Sequence, residues 1–257
     1  VKILDIHQET NDTITFTLDE HAKHKPGQFY QITLLGIGEA PISISSCSTE
    51  YIKISVRMVG NVTNAMKKLK KGDTIHLRGP YGNGYPLKEH EGQELILVGG
   101  GCGVAPLKGA IDYLEQHRKQ YDDIHLFLGY RSPDDILFQK ELKEWKNTYN
   151  LTVTVDSVPD ESCYAGTVGF VTEGLQDLSV KDPKNTAVFL CGPPAMIKNV
   201  IAVLNEKGIE DTQIYVSAER LMHCALGNCC HCMIRSKFVC TDGPVFRYDT
   251  IRDYPND

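Results

Sequence analysis

Within LMHCALGNCCHC, residues 221 to 232, four cysteines fall in twelve positions, and Cys240 follows after seven more residues. Cys224, Cys229 and Cys232 are spaced C-x4-C-x2-C, and with Cys240 they have the plant-type spacing for a [2Fe–2S] cluster. Four thiolates hold two bridged irons in such a site, and short loops wrap the sulfurs with backbone N–H groups. Gly227 in the first loop permits that close approach. A structural zinc site and plain buried or oxidised thiols are the other readings. Zinc usually takes two C-x2–4-C knuckles, and only Cys229 and Cys232 form one here. Adjacent cysteines point in different directions, and only Cys229 preserves both spacings, so Cys230 is the spare. His223 and His231 flank ligands, but a Rieske centre needs two histidines in place of two cysteines on one iron. With four cysteines available, both histidines read as surface residues or as supports behind the ligands.

A second chemistry sits in ELILVGGGCGVAPLKGAIDYL, which reads as a strand, a glycine-rich turn and a helix. Gly99, Gly100, Gly101 and Gly103 would let the backbone approach a pyrophosphate, and the following helix offers free N–H groups and a positive dipole end. Pro106 suits the first helical turn. Tight turns need glycine anyway, so this motif gains weight from AVFLCGPPAMI, a second buried strand ending in Cys191-Gly192-Pro193-Pro194 before another helix. Ligands of open α/β sheets sit at the carboxyl ends of strands, where both turns fall.

These motifs need a scaffold, and the chain's texture supplies three parts. Residues 1–90 alternate short β-rich runs (FYQITL, YIKISVRM, DTIHLRG) with Gly, Pro and Asn, the pattern of a small antiparallel sandwich or barrel, interrupted by one helical insert, NAMKKLKKG. From about residue 94, continuous apolar runs (ELILVGG, IHLFLGY, LTVTVD, AVFLCG, QIYVS) alternate with helix-length segments, which predicts a parallel α/β sheet buried on both faces. After Ser217 the periodicity ends and a cysteine-rich tail follows. There is no internal repeat and no low-complexity segment.

The net charge of −6, from 27 Lys+Arg among 33 Asp+Glu, forms no basic stripe, so nucleic acid is not an expected partner. No stretch has the roughly 20 apolar residues that span a bilayer, and residues 1–20 do not read as a signal peptide. A soluble, cytoplasmic protein is the expectation. Five of nine cysteines crowd into residues 224–240, which favours metal over a disulfide framework.

PISISS (41–46), RMVGNVTNAM (57–66), GGGCGVAP (99–106) and CGPPAM (191–196), in that order, resemble the ferredoxin–NADP reductase-like superfamily, in which a flavin barrel precedes a nicotinamide domain. The tail ERLMHCALGNCCHC…FVCTDGPVF looks like the electron-transfer subunits of the dihydroorotate dehydrogenase, sulfhydrogenase and anaerobic sulfite reductase type. GEAPISIS and RGPYGNGYPL look most like the sulfite reductase B-subunit and sulfhydrogenase gamma-subunit branch. The resemblance covers nearly the whole chain.

It implies three domains: an antiparallel FAD-binding barrel over residues 1–90, an α/β NAD(P)-binding domain over 91–218 and a small [2Fe–2S] module over 219–257. It also implies that the loop Pro41-Ile42-Ser43 lies along the isoalloxazine with Ser43 near its reactive nitrogen. Gly60, Asn61, Val62 and Thr63 would cap a helix whose N-terminus holds the flavin pyrophosphate; taken alone, without the neighbouring motifs, the stretch reads rather as an ordinary capped surface helix. The superfamily's usual Arg-x-Tyr-Ser is replaced, with Ala40 and Ile42 in the Arg and Tyr places, so Arg57 is the expected cationic substitute. Gly101, Cys102 and Gly103 match a turn that is commonly Gly-Thr-Gly, with Gly100 before it. Cys191, followed by Gly192 and Pro193, matches a cysteine near the nicotinamide; by burial alone it reads equally as a small strand-end hydrophobe.

Asp156, closing LTVTVD, favours NADH over NADPH because a carboxylate suits a free ribose hydroxyl, although Arg131 on a neighbouring strand end would suit a phosphate. A nicotinamide gives up a hydride and a [2Fe–2S] cluster accepts single electrons, so a flavin must stand between them. No side-chain acid or base is required. The expected function is an electron-transfer subunit that passes electrons from NAD(P)H through FAD and the cluster to an iron–sulfur-containing partner reductase or hydrogenase. The alternatives are a dihydroorotate dehydrogenase electron-transfer subunit, whose branch typically keeps Arg before Pro-Ile-Ser, and a non-redox, zinc-containing nucleotide-binding regulator.

Overall fold

A computed structural model describes residues 1–159 and 164–252. The first part of the chain builds two three-stranded antiparallel sheets. One has the order β1 (Ile3–Gln8), β2 (Thr13–Leu18), β5 (Ile52–Arg57), and the other β4 (Gly38–Ser43), β3 (Phe29–Leu34), β6 (His76–Tyr81). Single bridges, Ile44 to Ile54 and Lys2 to Thr74, join them at the corners. The core between the sheets holds Phe16, Leu18, Tyr30, Ile32, Ile52 and Ile54, alternate residues of each strand as period-2 geometry requires.

Helix α1 (Asn61–Met66) closes one end of this barrel with Val62 and Met66. The sequence places a helix over 64–72; the observed one starts earlier and stops before the lysines. Lys67, Lys68, Lys70 and Lys71 would stack like charges three and four residues apart, which opposes continuation.

The second part is one seven-stranded sheet in the order β10 (Thr167–Val168), β9 (Asn150–Val155), β8 (Ile124–Tyr130), β7 (Glu94–Gly100), β11 (Thr186–Cys191), β12 (Ile214–Ser217), β15 (Val245–Arg247). All pairings are parallel except β12 with β15. Every residue of β7 and of β11 is buried, which is why those segments read as unbroken apolar runs. Helix α2 (Val104–Gln116) turns Val104, Leu107, Ile111 and Leu114 onto the sheet in the 3.6-residue rhythm, and each buried Leu or Ile contributes about 1.5–3 kcal/mol. Helix α5 (Pro194–Glu206) covers the opposite face with Ile197, Val200, Ile201 and Leu204. Helices α3 (Gln139–Thr148) and α4 (Val171–Gln176) complete the layers.

Contacts cross both boundaries expected from the sequence. Tyr85 and Leu87, expected with the barrel, pack into the α/β core beside Leu95 and Phe189. The cysteine-rich tail is not an appendage, because β15 returns from it to extend the α/β sheet beside β12. The cysteine loop and a two-stranded hairpin, β13 (Met233–Ile234) with β14 (Lys237–Phe238), occupy the span between those strands.

Candidate functional site

The carboxyl ends of the sheet's strands open into a cleft of about 660 Å³, lined by Gly100–Gly103, Tyr130, Arg131, Asp156 and Gly192–Met196, and by Asp12, Thr13 and Arg57 of the barrel. The glycine turn forms its floor. Gly101 has φ +52°, with open space where a side chain would project, and Gly103 passes the Cys191 carbonyl so closely that a Cβ would stand 2.5 Å from that oxygen. Only glycine permits that approach, and it brings the start of α2 to the mouth of the cleft. Pro106 lies in the first turn of α2.

Cys102 faces the barrel wall; burial raises its thiol's pKa, while the Arg57 guanidinium opposes that rise. Arg57 donates from Nε to Asp12 Oδ2 at 2.8 Å. Arg57 lines the cleft on the same side as Cys102. Cys191 itself is buried beneath the cleft, and burial pushes its thiol well above the ordinary range. Sequence reasoning missed Glu219, Phe170 and Asp12, all on the cleft wall. Glu219 stands two residues beyond the end of β12, so the rule that ligands sit at the carboxyl ends of strands was the signal that could have found it. Phe170, 62% exposed, and Asp156 stand at the rim with Arg131.

The expected flavin loop is a strand. Pro41, Ile42 and Ser43 end β4, paired residue by residue with Gln31, Tyr30 and Phe29 of β3. Strand alternation divides them. Ile42 packs with the barrel core, whereas Pro41 and Ser43 share the outer face with Phe29 and Gln31.

That face turns toward the rest of the molecule, since Phe29 and Tyr81 pack with Cys232, Cys240 and Phe246. Gln31 is 1% exposed there, and among the described residues neither its amide nitrogen nor its oxygen has a partner. A buried amide left unsatisfied costs about 1–3 kcal/mol, so a polar ring edge lying against this face would be stabilised by it. At α1, Thr63 Oγ1 accepts from Gly60 N at 2.9 Å and from Val59 N at 3.1 Å. This pins the turn and leaves Gly60 and Asn61 exposed, while Val62 and Thr63 are buried.

The four cysteines stand as two pairs. Cys232 Sγ and Cys240 Sγ lie 3.4 Å apart, both buried, and Gly227 N donates to Cys240 Sγ at 3.3 Å. Cys224 Sγ accepts from Leu226 N at 3.3 Å and Asn228 N at 3.4 Å, and its thiol interacts with that of Cys229. Backbone N–H groups lower both thiols of the outer pair, Cys224 through Leu226 first and Cys229 through His231 first, the latter to about 7. Burial raises Cys240 to about 11.

The loop attains this wrap through left-handed residues, Ala225 at φ +59°, Gly227 at +73° and Cys230 at +60°. Cys230 is exposed, with its thiol directed at the Asn228 carbonyl and away from both pairs. His223 and His231 stack edge-to-face on the surface, 4.2 Å between centroids. Among the described residues no three His, Cys, Asp or Glu side chains converge on one ion position. Two thiol pairs under N–H donors suit a cluster of two irons, two ligands to each.

Barrel and cysteine loop are bolted together. Asn83 donates from Nδ2 to the carbonyls of Asp242 at 3.0 Å and Val245 at 2.7 Å, and its Oδ1 accepts from Val245 N. Arg78 of β6 reaches the Cys224 carbonyl at 3.3 Å.

A barrel, a dinucleotide cleft at the ends of a parallel sheet and a thiol loop tied to both define a nicotinamide-dependent oxidoreductase of the ferredoxin–NADP reductase fold with an iron–sulfur module. Residues 97–201 match the oxidoreductase NAD-binding domain family, and residues 219–252 match the iron–sulfur cluster binding domain of dihydroorotate dehydrogenase B. The chain is 37% identical to the sulfhydrogenase 1 subunit gamma of Pyrococcus furiosus, across 99% of this chain and 92% of that one. It is 35% identical to a probable electron-transfer subunit of dihydroorotate dehydrogenase B from Methanocaldococcus jannaschii, across 98% and 90%.

Among solved structures, an NADH-dependent reduced ferredoxin–NADP oxidoreductase studied for flavin-based electron bifurcation superposes with a TM-score of 0.78 at 26% identity, over 99% of this chain and 92% of that one. A ferredoxin–NADP+ reductase from Neisseria gonorrhoeae, solved with FAD and NADP, shares the fold at TM-score 0.69 and 22% identity, over 84% and 96%. The chain belongs to the family of sulfhydrogenase gamma subunits and dihydroorotate dehydrogenase B electron-transfer subunits. It is a NAD(P)H-dependent redox subunit with an iron–sulfur binding domain. No helix among the described residues is long and apolar enough to cross a membrane.

Proposed function

We propose that this chain oxidises NAD(P)H through FAD and delivers single electrons, by way of a [2Fe–2S] cluster, to a partner reductase of the sulfhydrogenase or anaerobic sulfite reductase type. The observation that carries this reading is the pairing of Cys224 with Cys229 and of Cys232 with Cys240 beneath backbone donors. Bound together, these groups would take the hydride of NAD(P)H as two electrons and a proton and release the electrons singly to the partner's acceptor, the proton leaving to solvent.

The chain's own residues position and exclude. Gly100, Gly101, Cys102 and Gly103, with Gly192 and Pro193, would hold the dinucleotide pyrophosphate and nicotinamide, Arg57 lending charge from the barrel wall. Cys191, buried and kept protonated, would shape the nicotinamide pocket from below. Pro41 and Ser43 would carry the isoalloxazine on the outer face of β4, with the Gln31 amide meeting a polar edge of it. Gly60, Asn61, Val62 and Thr63 would seat the flavin phosphates. Asp156 at the rim supports NADH as the donor.

Exposed Leu221, Leu226 and Met233 crowd the cysteine loop and support docking of a partner there. The 35% identity to a dihydroorotate dehydrogenase B electron-transfer subunit supports a second reading, in which the partner is that dehydrogenase. In both readings the domains run 1–90, 91–218 and 219–257, with strand β15 shared between the last two.

Anaerobic addition of NADH to the purified protein tests the relay: flavin bleaching followed by loss of iron–sulfur absorbance is expected. Cys224→Ser should keep the first and abolish transfer to the co-purified partner. A colourless, zinc-containing preparation would overturn the reading.

A further inference from the structure

We propose that Arg78 is a positioning residue for electron passage, clasping the cysteine loop to the barrel strand that carries Pro41 and Ser43. The proposal rests on the relay described above and adds what fixes the spacing between its flavin and cluster sites.

Arg78 uses its whole fork. Nε donates to Glu39 Oε1 at 2.9 Å and Nη2 to Glu39 Oε2 at 2.7 Å, a bidentate pair. Nη1 donates to Tyr81 Oη at 3.1 Å and to the Cys224 carbonyl at 3.3 Å. Glu39 lies on β4, two residues before Pro41 and four before Ser43, and Cys224 is the first ligand of the proposed cluster. One side chain thus spans the two redox sites.

The pair is durable in charge. The Arg78 hydrogen bonds hold the Glu39 carboxyl at about 2, and Thr33 Oγ1 adds a 2.7 Å bond to the same carboxylate. Arg78 is itself raised by that carboxylate. The guanidinium also lies over the Tyr81 ring, 5.7 Å from its centroid, and Tyr81 packs against the core around Cys232 and Cys240.

Two effects follow. Electron passage slows steeply as the separation of two fixed centres grows, so a clasp between their supports governs speed. A cation beside an anionic cluster also raises its reduction potential. Lysine separates the two, because it keeps the charge but lacks the fork.

The experiment is stopped-flow reduction of the intact, iron-loaded protein by NADH, together with an EPR-monitored redox titration, on wild type, Arg78→Met, Arg78→Lys and Glu39→Gln. Flavin bleaching should stay within about twofold of wild type throughout. Cluster reduction should slow at least about tenfold in both Arg78 variants, and the cluster potential should fall in Arg78→Met but hold in Arg78→Lys. Should either Arg78 variant fail to load iron, Glu39→Gln, which frees the fork without removing the cation, must show the same slowed transfer. Iron-loaded variants with wild-type transfer rates would overturn the clasp. A wild-type protein whose flavin bleaches without any cluster reduction would instead overturn the relay.

Discussion

The carbonyl oxygen of Cys191 occupies the space beside Gly103 where any side chain would have to begin. The turn after β7 and the end of β11 therefore meet backbone to backbone, and neither can rotate away. Gly103→Ala should cost about 1–3 kcal/mol of stability through overpacking, with weaker NAD+ binding. Gly101→Ala, whose Cβ would meet nothing within 4 Å, should cost only the roughly 1–2 kcal/mol of a left-handed alanine. Urea unfolding and NAD+ titration of both variants check this, and a Gly103→Ala protein with wild-type stability and wild-type NAD+ affinity would contradict it.

Cys229 and Cys230 are neighbours with opposite fates. Cys229→Ser should remove a ligand and leave the purified protein depleted of iron, whereas Cys230→Ser should keep full iron content and an unchanged visible spectrum. Iron analysis with sulfide quantification decides it. Loss of iron in Cys230→Ser would mean the ligand register is wrong.

The thiols should titrate apart in the metal-free chain. Cys229 is lowered to about 7, so its thiolate is present above that pH and is lost as pH falls through it. Cys240 is raised to about 11, so it stays protonated until far higher pH. Alkylation at pH 8, followed by peptide mass spectrometry, should label Cys229 well ahead of Cys240, with Cys229 labelling falling about tenfold per unit below pH 7. Metal loading releases these protons, so cluster assembly should quicken as pH rises.

What the sequence made legible was what repeats locally. ELILVGG is apolar throughout because β7 is buried on both faces, and the cysteine spacing brings Cys224 beside Cys229 and Cys232 beside Cys240. Pro41-Ile42-Ser43 was expected as a loop on the strength of the resemblance, although hydrogen bonding to β3 makes it the end of strand β4, and that pairing sets Ile42 on the face of Tyr30. The ion pair of Arg57 with Asp12, 45 positions away, was not legible in the sequence, because nothing near Arg57 announces it. The bond from Arg78 to Cys224 crosses 146 positions, beyond any periodicity. VFR was too short to announce itself as a strand, and β12 alone gives it a place.

That last pairing has a mechanical meaning. Because the chain leaves the sheet at β12 and rejoins it at β15, the intervening cysteine loop is held like the bow of a staple, with both legs in one plate. A carrier on a free arm could visit its donor and acceptor in turn; this one must stand still and let the other subunit come to it. Its return strand also caps the hydrogen-bonding edge of β12, so a chain cut short before Val245 would lose its conduit and gain an adhesive border at the same stroke.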